Sequence, residues 1–123
     1  MLPHHAVESP TGTFIVSLYT AQLMQWQIVE VNTGGEVLRQ FSGSRLPSLR
    51  WTTHVAVDSH GNIFVADYNS QRILLLDAHL SLRRVIDEDQ LNYKHPWRLC
   101  YREQSGQLLV VGGGVAVFDV LCR

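Results

Sequence analysis

The sequence predicts an all-β fold, and three observations support this prediction. Short runs rich in Val, Ile, Leu, Phe and Tyr are separated by Gly, Ser, Asn and Asp, which is the pattern of strands and turns. No long segment has apolar residues at i, i+3, i+4 and i+7 behind a capping box, so helices are not expected. A motif built around a glycine also recurs three times along the chain.

The composition limits the class of protein. The 123 residues suit one domain, and 46% of them are hydrophobic against 17% charged, which is enough to form a core. Ten Lys and Arg residues face eleven Asp and Glu, which excludes a strongly basic nucleic-acid domain but not a local basic patch. No run reaches the ~20 apolar residues of a membrane-spanning helix and no signal peptide is recognisable. These features favour the cytoplasm and leave the compartment open.

Eleven strands are expected, each bounded by turn residues. They span residues 5–8, 13–18, 27–32, 36–41, 54–58, 62–67, 72–77, 82–86, 98–102, 107–111 and 115–120. The runs 73–76 and 108–111 are continuously apolar, which predicts strands that are buried on both faces. Cys100, in the ninth strand, is expected to be a small buried hydrophobic residue.

The repeated motif is a four-stranded unit. Gly12, Gly61 and Gly106, spaced 49 and 45 residues apart, each follow a polar turn and precede a hydrophobic strand. We expect a positive φ at Gly61 and Gly106 because the turn is tight. A third strand ending in Asn or Asp then recurs three times, and a fourth strand recurs twice. A unit of this kind repeating every ~40–50 residues is typical of β-propeller blades.

The sequence therefore predicts a single partial propeller over residues 1–123. The first blade covers about 3–47 and the second about 52–90, and a third blade lacking its outer strand covers about 96–121. Asp58, Asp67 and Asp77 lie at strand ends, where short carboxylates accept backbone N–H bonds, and Arg72 is expected to pair with one of them. A catalytic pair of Asp58 and Asp67 is the alternative, but the repeat explains both residues without chemistry.

The middle unit, residues 54–86, closely resembles the NHL repeat. Its sequence HVAVDSHGNIFVADYNSQRILLLD follows that family's apolar-Ala-Val-Asp, turn and Gly-Asn-Ile-apolar-Val-Ala-Asp pattern, then Asn, Arg-Ile and a closing Asp. The flanking units depart from it, since Ser17 and Gly112 stand where the pattern has Asp67. The resemblance implies a propeller, typically of six blades. The chain is then either a fragment of a longer propeller or half of a six-bladed ring closed by dimerisation, and we favour the dimer.

The resemblance also implies a ligand-binding face at the mouth of the central channel. One position before the apolar core of the first strand, the three units hold His4, His54 and Arg98. The neighbouring loops add aromatic and cationic residues. The candidate binding residues are His4, Arg45, Arg50, Trp51, His54, Tyr68, Trp97 and Arg98. No catalytic residue, metal or cofactor is expected.

Three functions compete for this face. Recognition of a protein partner comes first, because Trp, Tyr and Arg are the common anchors of interfaces. Single-stranded RNA binding, known in some NHL proteins, is favoured by Arg45 and Arg50 and opposed by the acidic run 87–89. The third is a metal-dependent enzyme similar to the peptide-amidating lyases, with His4 and His54 as ligands, although Arg98 cannot ligate. We expect a non-enzymatic scaffold, and leave open a catalytic module outside this chain.

Overall fold

The computed structural model describes residues 2–20, 25–41, 52–67, 71–87, 96, 98–112 and 114–120, and this part of the chain is all-β. All eleven expected strands are present, close to their expected bounds. They are β1 (Leu2–Glu8), β2 (Phe14–Thr20), β3 (Gln25–Val31), β4 (Val37–Phe41), β5 (Thr52–Val57), β6 (Ile63–Asp67), β7 (Arg72–Leu76), β8 (Leu82–Ile86), β9 (Arg98–Arg102), β10 (Gln107–Val111) and β11 (Val115–Asp119).

The strands form three antiparallel sheets in chain order. The first sheet has the order β1-β2-β3-β4, the second β5-β6-β7-β8, and the third β9-β10-β11. Each strand pairs with its neighbour in sequence, so every sheet is a meander joined by short turns. The prediction of an all-β chain with units of four, four and three strands is thereby confirmed.

The turns between first and second strands depend on glycine. Gly12 and Gly61 both have φ of 86°, and Gly106 has 65°, as expected for Gly61 and Gly106. At Gly61 the space is also tight, because a Cβ would lie 3.1 Å from the Cβ of Ala78. Asp58 Oδ1 completes this turn by accepting the N–H groups of His60 and Asn62, each at 2.9 Å.

Two hydrophobic clusters hold the sheets together. The first joins the first and second sheets and includes Ile15, Ile28, Val55 and Val65. The second joins the second and third sheets and includes Phe64, Ile73, Leu99 and Leu108, with the ring of Phe64 stacked on that of Tyr101 at 5.0 Å. The second sheet therefore contributes side chains from both of its faces, which places it between the other two sheets.

The position of each sheet in the stack explains which burial predictions are correct. The prediction for β7 is confirmed, and those for β10 and Cys100 are wrong. Strand β7 is buried along almost its whole length, as its continuous apolar run predicts. Strand β10, with a similar run, instead alternates, and Val111 is 38% exposed. Cys100 is exposed rather than buried, because it lies on the face of the third sheet that points away from the second.

The first strands of the three sheets lie side by side. Strand β5 contacts β1 on one side and β9 on the other. Residues at the start of these three strands are thereby brought close together, and the candidate site lies there. Within the described ranges, the chain contains no helix long and apolar enough to span a bilayer.

Candidate functional site

The repeat register of the structure brings His5, His54 and Arg98 to equivalent positions. Strand β1 has a register shift between Pro3 and His5, and β5 has the same irregularity between Thr52 and His54. Beyond these irregularities, His5 pairs with Ser17 and His54 with Ala66. Such bulges change the direction of a side chain, and here they occur at the same point of two repeats.

The expected equivalence of His4 with His54 is therefore wrong by one residue. His5 and His54 each stand seven positions before a glycine with φ of 86°, so a constant offset of 49 residues relates the two units. Counting back from the turn glycine would have identified His5. His4 belongs to β1, and its side chain lies outside the described part of the chain.

The two histidines make the same hydrogen bond to the next sheet. His5 Nδ1 accepts the backbone N–H of Val55 at 3.1 Å, and His54 Nδ1 accepts that of Leu99 at 3.2 Å. The two imidazole rings also lie 4.1 Å apart, centroid to centroid. Because Nδ1 accepts, each neutral ring carries its proton on Nε2.

The surroundings of His54 keep its imidazole neutral. Burial, the neighbouring His5 and the cation of Arg98 lower the pKa of His54 to about 4. Arg98 itself is exposed at the start of β9. At neutral pH, His54 therefore carries a neutral Nε2–H donor, and the guanidinium of the exposed Arg98 is near enough for its charge to act on the ring. Both groups can donate hydrogen bonds.

The same tautomer argues against His54 as a metal ligand. A metal at Nε2 requires the ring proton to move to Nδ1, where it would face the N–H of Leu99. Among the residues with described side chains, no group of three His, Cys, Asp or Glu is arranged to hold a metal ion.

The carboxylates of the middle repeat have structural partners. Asp67 is fully buried, and its Oδ2 accepts from Arg72 Nε at 2.9 Å, which identifies the expected partner of Arg72. Asp77 Oδ1 accepts the N–H groups of His79 and Ser81, as Asp58 does in its own turn. Asp58 and Asp67 lie towards opposite ends of β6, so they form no catalytic pair.

Most of the predicted site lies outside the described residues. Of the eight candidates, the side chains of His54 and Arg98 are described, and the structure brings these two together. The backbone of His4 is placed in β1. The candidates outside the described residues are Arg45, Arg50, Trp51, Tyr68 and Trp97.

One cavity lies away from His54. It has a volume of about 660 Å³ and is lined by Phe64, Leu75 and Tyr101, with Asp58 and Arg84 among its polar residues. Asp58 follows the end of β5 that is opposite to His54, so the cavity opens at the other end of the second sheet. It borders the third sheet, in which three strands are described, one fewer than in each of the other two sheets.

Comparison with known proteins adds no family assignment. No protein-family model matches this chain, and no curated protein is similar to it.

Proposed function

We propose that this chain is a non-enzymatic scaffold of the NHL-propeller type and that it binds a protein partner where β5 and β9 begin. The three meander sheets, stacked in chain order with β1, β5 and β9 adjacent, support the propeller architecture. The titratable groups of the second sheet support a role other than catalysis, because Asp58, Asp67 and Asp77 are engaged in turns or an ion pair.

The hydrogen bond from Leu99 N–H to His54 Nδ1 is the observation on which the proposal rests. It fixes His54 as an Nε2–H donor beside the exposed cation of Arg98. Two donors side by side match the oxygens of an anion. The group of the partner that binds here is therefore a carboxylate, from an Asp or Glu side chain or a chain terminus.

Selection from a random peptide library tests this proposal. Displayed peptides are selected on the immobilised wild-type chain and then measured against Arg98→Glu. We expect the selected peptides to be enriched in Asp and Glu, and the affinity to fall at least ~10-fold in Arg98→Glu, since a hydrogen bond between charged groups contributes about 1.5–3 kcal/mol. Arg83→Glu, which alters another exposed arginine on β8, is the matched control and retains binding.

Two results would contradict the proposal. One is a set of selected peptides without acidic enrichment, and the other is equal binding by wild type and Arg98→Glu. The mass of Arg98→Glu in solution is compared with that of the wild type, so that a change in association is not mistaken for lost binding. A labelled single-stranded oligouridylate that binds instead, with affinity falling steeply between about 50 and about 200 mM salt, would favour an RNA ligand.

A further inference from the structure

Because the three sheets repeat one another, each residue of a sheet has an equivalent residue in the other two, and their exposures can be compared. Hydrogen bonds from Gly12 N–H to the Ser9 carbonyl and from Gly61 N–H to the Asp58 carbonyl align the first two strands of the first and second sheets. The strand pairing extends this alignment to the third strands. Phe14 pairs with Val31 in the first sheet, Ile63 with Leu76 in the second, and Leu108 with Phe118 in the third. Differences in exposure between equivalent positions therefore reflect the sheet that covers them and the strand that lies beside them.

The first sheet exposes a face whose equivalents are buried elsewhere. Phe14 is 37% exposed, whereas its equivalents Ile63 and Leu108 are 1% and 0% exposed. Ile63 is covered by the first sheet and Leu108 by the second. In the first sheet, Phe14 shares this face with Val31 and Val37 across the pairing register, and Val37 is 49% exposed. We call this surface the back face.

The third sheet exposes its other face, the one that in the first and second sheets packs on the next sheet along the chain. Val115 is 61% exposed, whereas its equivalents Ile73 and Ile28 are both fully buried. Val117, 56% exposed, is equivalent to Leu75, which packs in the cluster between the second and third sheets. The register continues this surface through Leu109 to Cys100. We call this surface the front face.

Front faces and back faces are complementary within the chain. The front of the first sheet, with Ile15, packs on the back of the second, with Ile63, and the front of the second packs on the back of the third. The described part of the chain thus has one uncovered back face and one uncovered front face. A second copy of the same sequence would provide both missing faces.

We propose that a second copy of this chain packs its back face on the front face of the third sheet, and that two such junctions close the pair. The contact repeats an interface that occurs twice inside each chain. It is heterologous, and such contacts close into a ring when the rotation between copies allows it. Two copies of three sheets would form a ring of six, which lies within the ~4–8 blades of closed propellers. This proposal does not depend on the identity of the ligand bound near Arg98.

The charges of the two faces also match. Glu8 lies on the back face and pairs with Phe14, and its equivalent in the third sheet, Tyr101, stacks on Phe64 of the second sheet. By the same geometry, Glu8 of a second copy would lie over Leu109. The pairing register places Arg102 two positions from Cys100, in the next row of the front face. A carboxylate would therefore approach a cation at the junction.

The mass in solution tests the proposal directly. Light scattering behind a sizing column, from ~1 µM to ~100 µM protein, should show a species of twice 13.9 kDa that dissociates on dilution. A folded monomer over the whole range would overturn the proposal. A trimer or an open polymer would contradict the proposal that two copies form a closed pair.

Two charge variants make the test specific to these faces. Val117→Lys damages only the front face and Phe14→Glu only the back face, and each alone should be a folded monomer. Their equivalents Leu75 and Leu108 pack in one cluster, so the introduced Lys and Glu should meet. An equimolar mixture should then recover the dimer mass, because one junction is unaltered and the other pairs Lys with Glu.

The control is Leu38→Lys, a similarly exposed apolar residue at the bulge of the outermost strand β4, and it should leave the mass unchanged. A mixture of Val117→Lys and Phe14→Glu that stays monomeric while the wild type is dimeric would show that other surfaces form the dimer, and would overturn the proposed junction.

Discussion

The ion pair between Asp67 and Arg72 is the most buried charged contact in the described part of the second sheet. The side chains are 0% and 10% exposed, and Arg72 Nε lies 2.9 Å from Asp67 Oδ2. Removing one partner breaks the ion pair of a charge that stays in the core, which costs far more than the net contribution of the intact pair. The pair therefore constrains the sequence even though it adds little net stability.

Replacing Arg72 alone tests this asymmetry. Arg72→Met should lower the free energy of unfolding by about 3–5 kcal/mol, measured by chemical denaturation. The double variant Arg72→Met/Asp67→Leu should recover most of that loss, because no unpaired charge remains. In the control Arg83→Met, a 70% exposed side chain 3.9 Å from Asp77 is removed at a cost of at most about 1 kcal/mol. Equal losses in Arg72→Met and Arg83→Met would contradict the account.

The neutral state of His54 makes stability depend on pH. Its pKa is about 4 in the folded chain against an ordinary value of 6.5, so the unfolded chain binds the proton more readily. The stability that the neutral ring contributes is present above pH ~6.5 and is lost as the pH falls from there to ~4. Because the ring is about half buried, solvent screening makes this effect modest.

Denaturation at several pH values measures the contribution of His54. The wild type should lose stability between pH ~6.5 and ~4, and His54→Asn should reduce this slope while its side-chain oxygen still accepts from Leu99. His60→Asn, in an exposed turn, is the control and should leave the slope unchanged. A slope that is the same in all three proteins would assign the pH dependence to other groups.

The tight turns show what a glycine contributes to a single element. Gly12 and Gly61 have the same φ of 86°, but only Gly61 has a neighbour within reach of an added Cβ, namely Ala78. Substitution by alanine imposes backbone strain of about 1–2 kcal/mol at either position. At Gly61 the contact with Ala78 adds a steric cost.

The matched pair Gly12→Ala and Gly61→Ala separates these two effects. Both variants should be less stable than the wild type, and Gly61→Ala should lose more. Thermal unfolding of the two proteins under identical conditions gives the comparison. If Gly12→Ala is the more destabilised of the two, steric contact at Ala78 does not contribute.

The sequence predicts the strands of this chain well because turn residues mark where each strand begins and ends. Turn residues and apolar runs locate all eleven strands, and the Asp58 and Asp77 turns form as their side chains suggest. Burial is predicted less well. Runs 73–76 and 108–111 look alike in sequence, but β7 has a sheet on both sides and β10 on one. No local sequence pattern indicates whether a sheet packs against another sheet on one face or on both.

At the scale of the whole molecule, the repeat predicts the number and size of the sheets. It does not by itself give the register, because an alignment on Ala6 and Ala56 differs by one residue from the one that the turn glycines impose. That single residue decides which histidine lies beside His54. The hydrogen bond from Leu99 to His54 and the effect of the Arg98 charge on the His54 pKa both join residues of two sheets, so they follow from the stacking of those sheets and not from any local pattern.

Strand β11 forms the outer edge of the third sheet, and no fourth strand lies beside it in the described part of the chain. The outermost strands of the other sheets carry arginines, namely Arg39 in β4 and Arg83 and Arg84 in β8. Such charges discourage the addition of foreign strands. β11, with the sequence VAVFD, has no cation and exposes two valines. In the described part of the chain, this edge is therefore where the pairing of a foreign strand is least opposed by charge.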